Sequence, residues 1–174
     1  MTFDQLSRDP AESPEADQEA VARKILLDQL TGRARSRHEL ADKLRGKHVP
    51  DELAERLLDR FEEVGLVDDQ AFARAWVSDR QRSKGLAPRA LAHELRRKGV
   101  DDETVRAAVE EVTDDDQEAA ARALVRRKLR PLAQVDQTTA TRRLAGMLAR
   151  KGYPPGLALR VVKDELGANL TEEF

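Results

Sequence analysis

Apolar residues recur along this chain every three or four positions, which is the spacing of one face of an α-helix. The first such stretch runs from Gln18 to Leu30 and places Val21, Ile25 and Leu26 on one face. Further stretches follow, separated by short polar segments that contain glycine, proline or a residue suited to cap a helix. The pattern predicts nine helices in three groups of three, without a sheet.

The middle helix of each group carries the same nine-residue pattern, Leu-Ala-x-x-Leu-x-x-Lys followed by Gly or His, at residues 40–48, 91–99 and 144–152. Its two leucines share a helical face, and its alanine lets a neighbouring helix approach closely. The lysine suits the negative end of the helix dipole. Gly99 and Gly152 fit a left-handed C-terminal cap, for which His48 is a less favourable substitute. We interpret these positions as residues that build the fold.

Repetition at this period predicts an all-α protein of three tandem three-helix repeats in an elongated, modular array. The predicted repeats occupy residues 19–65, 66–113 and 114–167. Residues 1–18 hold five acidic residues against one basic residue, with few apolar side chains, and we expect a disordered acidic tail there. We expect residues 168–174 to be frayed.

Several short signals mark where helices begin. Ser36 and Glu39 have the spacing of a capping box, and Asp68 is a favourable N-cap. Pro88 suits a first helical turn. Residues 114–116 are all aspartates and open a long basic helix that should end before Pro131.

Composition agrees with a helical protein and excludes some kinds of chemistry. Aromatic residues make up 3% of the chain and charged residues 37%, and cysteine is absent. Without cysteine there is no disulfide, no thiolate nucleophile and no cysteine-based zinc site. No apolar run reaches the length of a membrane span, and the N-terminus lacks a secretion signal. We expect a cytoplasmic protein, and a monomer, since no exposed apolar stripe is evident.

The net charge of −2 conceals strongly basic segments. Residues 119–151 hold nine basic residues against one acidic residue, and residues 74–98 hold eight against two. Such an imbalance indicates an anionic partner. The candidate residues for binding a partner or DNA are Arg80, Arg82, Lys84, Arg96, Arg97, Arg122, Arg126, Arg127, Lys128, Arg130, Arg142 and Arg143.

Arg122, Arg126 and Arg130 are spaced as one stripe along a helix, and no acidic residue lies between positions 119 and 135. The stripe could follow a line of phosphates or an acidic protein surface, although many charged helix faces are simply solvated. We expect Phe72 and Trp76 to be buried in the core, which leaves Tyr153 as the evident candidate for stacking on a base. Sequence-specific reading of a single strand is therefore not expected.

None of the common nucleotide-binding, zinc-protease or hydrolase motifs is present in the chain. The three histidines, His38, His48 and His93, fall in different predicted helices or at their ends. The aspartates of residues 114–116 lack the alternating spacing of a calcium loop. We therefore expect no metal, no cofactor and no enzymatic activity.

One segment gives a specific family resemblance. The sequence from Gly65 to Val77, with its Gly-x-x-Asp-Asp-x-x-Phe-Ala pattern, strongly resembles the RecX family of recombinase regulators. The match continues through Arg80, Gly85, Pro88, Leu91, Glu94, Leu95, Lys98, Gly99 and Val100. Three tandem three-helix units agree with that family, and the arginine- and alanine-rich composition resembles a member from a high-GC bacterium.

The resemblance implies a regulator of RecA that acts in DNA repair, recombination and the SOS response. Members of the family bind the RecA–single-stranded DNA filament in its groove and inhibit ATP hydrolysis, strand exchange and co-protease activity. Direct contact with single- or double-stranded DNA is also implied for some members. The resemblance brings no catalytic motif and no cofactor.

Two other interpretations remain open at this stage. The three-helix units could be helix-turn-helix-like modules of a general DNA-binding protein, whose affinity would fall steeply with salt. The chain could instead be a helical adaptor that binds only proteins. An enzyme of unknown type ranks last, because no set of reactive residues is evident.

Overall fold

The computed structural model of the chain describes residues 14–172, and their side chains as far as Ala168. This range contains nine α-helices, one short 3-10 helix and no strand, which confirms the predicted all-α class of three-helix groups. The helices are α1 (Pro14–Gly32), α2 (Arg37–Gly46), α3 (Asp51–Glu63), α4 (Asp69–Lys84), α5 (Pro88–Arg97), α6 (Asp102–Glu110), α7 (Asp114–Leu129), α8 (Gln137–Arg150) and α9 (Pro155–Glu172). The 3-10 helix, Arg130–Leu132, follows α7.

The chain divides into two compact units, residues 1–72 and residues 73–174. We call them the N-terminal unit, described from Pro14, and the C-terminal unit, described to Glu172. Residues 66–72 of the second predicted repeat lie in the N-terminal unit, and the rest of that repeat lies with the third in the C-terminal unit.

The three copies of the nine-residue pattern end in the same backbone geometry. His48, Gly99 and Gly152 have positive φ angles of 59°, 73° and 89°. In each copy the following amide bonds back to the second leucine's carbonyl: Val49 to Leu44 at 3.1 Å, Val100 to Leu95 at 3.2 Å and Tyr153 to Leu148 at 3.1 Å. This is the left-handed C-terminal cap that the sequence predicted, with histidine taking the glycine position once.

The N-terminal unit encloses a leucine-rich core. Leu26, Leu40, Leu44, Leu57 and Leu58 are each at most 2% exposed. The predicted capping box is present, because the Ser36 hydroxyl accepts from the Glu39 amide and the Glu39 carboxylate accepts from the Ser36 amide.

A network of charged side chains connects the start of α2 to α3 and to α4 in the N-terminal unit. The Arg37 guanidinium donates to Glu55, Asp59 and Glu62 of α3 at 2.6–2.8 Å, and its main-chain N–H donates to Asp69 Oδ1 at 2.8 Å. One arginine thus fixes α2 against α3 and against the first turn of α4.

The C-terminal unit has a core to which α7, α8 and α9 contribute most. Val125, Leu144, Leu148, Val161 and Val162 are fully buried or nearly so. Ala87, from the turn between α4 and α5, joins the same cluster, so that residues of the second and third predicted repeats share one core.

Close contacts at two glycines and a backbone hydrogen bond connect α4 and α5 to α7 and α8 within the C-terminal unit. We call this place the joint. A β-carbon placed on Gly85 would lie 2.9 Å from Leu124 Cδ1, and one placed on Gly152 would lie 2.6 Å from the Ala90 nitrogen. The Ala87 amide donates to the Lys151 carbonyl at 2.9 Å. These contacts hold the end of α4 and the start of α5 against α7 and the end of α8.

Both ends of the described chain are more helical than predicted. Helix α1 begins at Pro14, inside the stretch of residues 1–18 for which we expected a disordered tail. Proline is favoured in a first turn, and Glu15 and Asp17 suit the positive end of the helix dipole. The remaining residues of that stretch, 1–13, lie outside the described residues.

At the other end, α9 continues to Glu172 through most of the segment 168–174 that we expected to be frayed. Residues 161–168 supply the reason, since Val161, Val162 and Glu165 are buried and hold this helix down. Residues 173–174 lie outside the described residues.

The close packing of Gly152 predicts a large loss of stability in Gly152→Ala. The positive φ lowers the stability of the alanine variant by roughly 1–2 kcal/mol. Overpacking of the added methyl group against Ala90 lowers it by about 1–3 kcal/mol more. Gly65→Ala is the matched control, because Gly65 has a φ of 76° but nothing lies within 4 Å of its β-carbon position. Urea unfolding followed by circular dichroism should show a clearly larger loss for Gly152→Ala; equal losses would contradict the packing argument.

The positive φ of His48 predicts that His48→Gly stabilises the chain. A non-glycine residue loses roughly 1–2 kcal/mol of stability in the left-handed conformation. Glycine avoids this strain, but its greater flexibility in the unfolded state lowers the free energy of unfolding by about 0.5–1 kcal/mol. We expect a net gain of about 0.5–1 kcal/mol in the free energy of unfolding. His48→Ala, which keeps the strain, should show no gain, and a glycine variant less stable than the alanine variant would contradict the assignment.

Candidate functional site

The predicted arginine stripe on α7 is largely used inside the molecule. The Arg122 guanidinium donates to Glu118 at 2.7 Å, to Asp164 at 3.0 Å and to Glu165 at 3.1 Å. Arg126 donates from Nε and Nη2 to the two carboxylate oxygens of Glu165, at 2.7 and 3.0 Å. Arg122 and Arg126, two of the candidate residues for binding a partner or DNA, thus already have acidic partners, which α9 and Glu118 supply.

Glu165 is the centre of this network. It is 6% exposed, and the hydrogen bonds from Arg126, followed by those from Arg122, hold its pKa below the usual value of a glutamate. A buried carboxylate is tolerated when it is paired and hydrogen-bonded in this way. Its function is to hold α7 against α9.

The sequence does contain a signal for the role of Glu165. The apolar face of α9 includes Ala158, Val161 and Val162, and Glu165 continues that face at the same helical spacing. A lone acidic residue on an apolar face needs a cationic partner, and the basic stripe of α7 was the available one.

The second predicted basic segment is also partly compensated. Arg80 Nε lies 3.2 Å from Glu94 Oε2, and Arg96 Nε lies 2.7 Å from Asp102 Oδ1. Both side chains therefore make ion pairs within the C-terminal unit. Arg82 and Arg97, from the same segment, are exposed and form no ion pair within the described part of the chain.

Trp76 lies between two cations rather than in the core. The Arg80 guanidinium carbon is 4.1 Å from the centroid of the Trp76 ring, and Lys98 Nζ is 4.5 Å from it. The indole N–H donates to Glu94 at 2.9 Å. We predicted a buried Trp76, but its ring is only partly buried, because its polar edge and its faces are occupied by charged groups. Phe72 is 6% exposed, as expected for a core residue.

Tyr153 is not available to stack on a base. It is 3% exposed, and its hydroxyl donates to the Gly85 carbonyl at 2.9 Å. Burial raises the pKa of the phenol to about 12. The prediction of Tyr153 as a stacking residue was wrong. Tyr153 follows Lys151, the C-cap residue of α8, by two positions, and its side chain is buried at the joint within the C-terminal unit.

Four cations without an acidic partner among the described residues come together at that joint. Lys84 ends α4, Arg127 and Lys128 lie in the last turn of α7, and Lys151 is the C-cap residue of α8. We call these four residues the Lys151 cluster. Their side chains form no ion pair with any acidic residue in the part of the chain that the structure describes. Lys151 itself was absent from the predicted binding residues.

Two contacts fix the geometry of the Lys151 cluster. Lys151 Nζ donates to the Lys84 carbonyl at 2.6 Å, which brings the ends of α8 and α4 together. Leu124 contacts Gly85, and Arg127 and Lys128 follow Leu124 by three and four residues on the same side of α7. Three helices therefore present their basic ends to one place.

The charges of the Lys151 cluster exceed what the helix ends can neutralise. A helix C-terminus carries the equivalent of about half a negative charge, so the ends of α4, α7 and α8 together offset about one and a half of the four positive charges. Partial burial lowers the pKa of Lys151, and repulsion from Arg127, Lys84 and Lys128 lowers it further. The cluster is therefore a site of unrelieved positive charge.

The remaining predicted basic residues, Arg130, Arg142 and Arg143, are exposed and form no ion pair within the described residues. They add positive charge to the surface of the C-terminal unit. No bond or contact in the structure brings them into the Lys151 cluster.

Other groups with potential chemistry are accounted for by local structure. The aspartates at the start of α7 include Asp116, which forms a capping box with Thr113. Among the described residues, no group of three or more His, Cys, Asp or Glu side chains could hold a metal ion. None of the helices in that range combines the length and the hydropathy that a membrane span needs.

Three family models match the chain in consecutive segments. RecX, first three-helix domain, matches residues 22–61. RecX, second three-helix domain, matches residues 68–109, and RecX, third three-helix domain, matches residues 114–162. Together the models match most of the chain, in the order in which the three helical groups occur.

Curated relatives give the same result. The chain is 51% identical over 160 residues to "Regulatory protein RecX" of Streptomyces lividans, covering 92% of this chain and 85% of the relative. It is 52% identical to the protein of the same name from Thermobifida fusca, covering 88% and 83%. Identity to the relative from Mycolicibacterium smegmatis is 42%, covering 92% of each chain. These relatives come from Actinobacteria, which are high-GC bacteria.

Solved structures show the same fold. The crystal structure of RecX from Lactobacillus salivarius superposes with a TM-score of 0.80 at 19% identity, covering 86% of this chain and 97% of that one. A second crystal structure of a regulatory protein RecX gives a TM-score of 0.77 at 25% identity, covering 86% and 73%.

The Glu165 network predicts a pH-dependent loss of stability. Because the folded pKa of Glu165 lies below its ordinary value of 4.5, its contribution is complete above about pH 4.5. This contribution is lost as the pH falls through the folded pKa. We expect Glu165→Gln to lower the free energy of unfolding at neutral pH by about 1–3 kcal/mol. The difference from the unsubstituted protein should shrink below pH 4.5.

Urea unfolding at several pH values measures this difference. Asp164→Asn is the matched control, since the Asp164 side chain is 49% exposed and, among the described residues, pairs with Arg122 alone. A pH-independent difference for Glu165→Gln, or an equal effect of Asp164→Asn, would contradict the central place of Glu165.

Proposed function

We propose that this chain, which belongs to the RecX family, regulates the recombinase RecA by binding its single-stranded DNA filament and reducing ATP hydrolysis, strand exchange and co-protease activity. The observation that carries the proposal is the match of all three RecX domain models in order along the chain. The curated relatives are named regulatory proteins, in agreement with a role exerted by binding.

Several helical groups on one chain are suited to a repetitive partner. A filament presents the same surface many times, so that weak contacts from different helical groups add up through high effective concentration. A free RecA subunit offers only one copy of that surface. We therefore expect the chain to prefer assembled filament to free subunits, and equal affinity for the two would count against the proposal.

The proposed inhibition acts on subunit movement and does not require the nucleotide site. A bound protein that contacts neighbouring subunits stabilises one arrangement of the filament, and ATP turnover slows if hydrolysis needs another arrangement. On this proposal the chain acts in the cytoplasm, as a monomer and without a cofactor.

A second candidate function, general DNA binding, is favoured by one observation. The Lys151 cluster has no acidic partner within the described residues, and the exposed positions of Lys84, Arg127 and Lys128 allow contact with phosphates. Such a protein could inhibit RecA indirectly by covering the DNA.

Single-stranded-DNA-dependent ATP hydrolysis by the cognate RecA, titrated with this chain, tests the proposal. We expect hydrolysis to fall at concentrations of the chain below those needed to bind bare DNA in the same buffer. The expected cause is preferential binding to the filament through several contacts.

A second titration, with the DNA doubled at constant RecA, provides the control. Inhibition by covering the DNA would need more of the chain as free DNA increases, whereas filament regulation would follow the amount of filament. Unchanged hydrolysis at concentrations that saturate binding would contradict the proposal.

A further inference from the structure

The connection between α6 and α7 carries four acidic side chains that the fold does not pair. Glu110 ends α6, Glu111 is its C-cap residue, and Asp114 and Asp115 lie in the first turn of α7. All four are exposed, and none of them forms an ion pair with another described residue. We call these four residues the acidic turn.

The two glutamates of the acidic turn lie where a helix disfavours them. The C-terminal end of an α-helix carries a partial negative charge, so acidic side chains are unfavourable there. The last turn of α6 has no basic residue to offset Glu110 and Glu111. Arg106, one turn earlier, is exposed and makes no ion pair within the described range. Departures of this kind from local rules are expected at functional sites.

The Lys151 cluster is the counterpart of the acidic turn in the same unit. Its four cations have no acidic partner in the part of the chain that the structure describes, and the charges that act on Lys151 are all positive. The two groups lie at opposite ends of α7, which has 16 residues and is therefore about 24 Å long. The Debye length at 0.1 M salt is about 10 Å. The two groups therefore do not neutralise each other within one molecule.

We propose that the acidic turn of one copy of this chain binds the Lys151 cluster of a second copy, so that C-terminal units associate head to tail. Four carboxylates then face four cations, and one contact relieves the repulsion within both groups. Because the two surfaces differ, each added copy leaves one surface of each kind free, and association can continue into an open row. The proposal does not depend on the proposed action on RecA.

The occupant follows from the two surfaces taken together. A nucleic acid could occupy the Lys151 cluster, but it would leave the acidic turn without a partner. A basic protein could occupy the acidic turn, but it would leave the Lys151 cluster unpaired. A second copy of this chain supplies the complement of both surfaces in equal number.

The contact is selective but weak. Lys151 Nζ donates to the Lys84 carbonyl at 2.6 Å, and the Ala87 amide donates to the Lys151 carbonyl at 2.9 Å, so folding already orders the backbone beneath the cations. Ion pairs between exposed side chains contribute little each, and salt screens them. The dilute chain therefore stays a monomer, and copies associate when they are concentrated or held side by side on a repetitive partner.

Carbodiimide cross-linking without RecA or DNA tests the contact, because the reagent joins a carboxylate to a lysine amine that touches it. An equal mixture of isotopically labelled and unlabelled chain distinguishes links between molecules from links within one. We expect mass spectrometry to find mixed-isotope links from residues 110–115 to Lys84 or Lys128. The links should disappear at about 1 M salt, where the Debye length falls to about 3 Å.

Paired variants test the head-to-tail arrangement by light scattering of concentrated protein at low salt. Arg127→Gln with Lys128→Gln weakens the Lys151 cluster, and Glu110→Gln with Glu111→Gln weakens the acidic turn. Each double variant alone should lower the association constant about tenfold, as expected for two lost exposed ion pairs. An equal mixture of the two should associate again and stop at dimers, because each molecule keeps one intact surface.

Arg142→Gln with Arg143→Gln is the matched control, since it removes the same charge from two exposed arginines of α8. This variant should associate like the unsubstituted chain. Restored association in the mixture also shows that both of its members are folded.

Five outcomes would overturn the proposal. These are a monomeric mass at every concentration without links between molecules, links to Lys84 and Lys128 that come only from other carboxylates, an equal loss in the control variant, a mixture that stays monomeric, and association that requires added oligothymidylate. The last outcome would assign the Lys151 cluster to DNA. Because RecA is absent, none of these results bears on whether the chain inhibits ATP hydrolysis.

Discussion

The left-handed residue that ends the middle helix of each group is the constraint on which the rest of the fold depends. At His48, Gly99 and Gly152 the chain leaves one helix and begins the next within a few residues, and the returning amide closes each cap. In the third copy the cap also brings its neighbours into the joint. Gly152 lies against Ala90, and Lys151 bonds to Lys84. The same backbone feature therefore builds the repeat and positions a charged site.

The basic residues of the C-terminal unit serve two different purposes. Arg122 and Arg126 pair with Glu165 and hold α7 to α9, so their charge is consumed by the fold. Arg127 and Lys128, directly after Arg126, have no such partner within the described residues and lie at the joint with Lys84 and Lys151. Adjacent residues of one helix thus differ in whether the fold uses their charge. The total of positive charge in a segment does not reveal this division.

The sequence predicted the helices and their caps because these depend on local spacing. Ser36 with Glu39, Pro88 and Gly152 act within a few residues of their positions, and the structure agrees at each of them. The partners of the arginines could not be found in this way. Glu165 lies 39 residues from Arg126 and 43 from Arg122, so that only the packing of α7 on α9 brings them together.

The positive charge at the joint is uncompensated until an anion binds. The pKa of Lys151 tests this claim most directly. Titration of the Lys151 amine by NMR, in the full chain with and without oligothymidylate, measures it. The account predicts a pKa below the ordinary 10.5 in the free protein and a rise when DNA binds, since an opposite charge favours the protonated amine. An unshifted pKa that DNA leaves unchanged would contradict it.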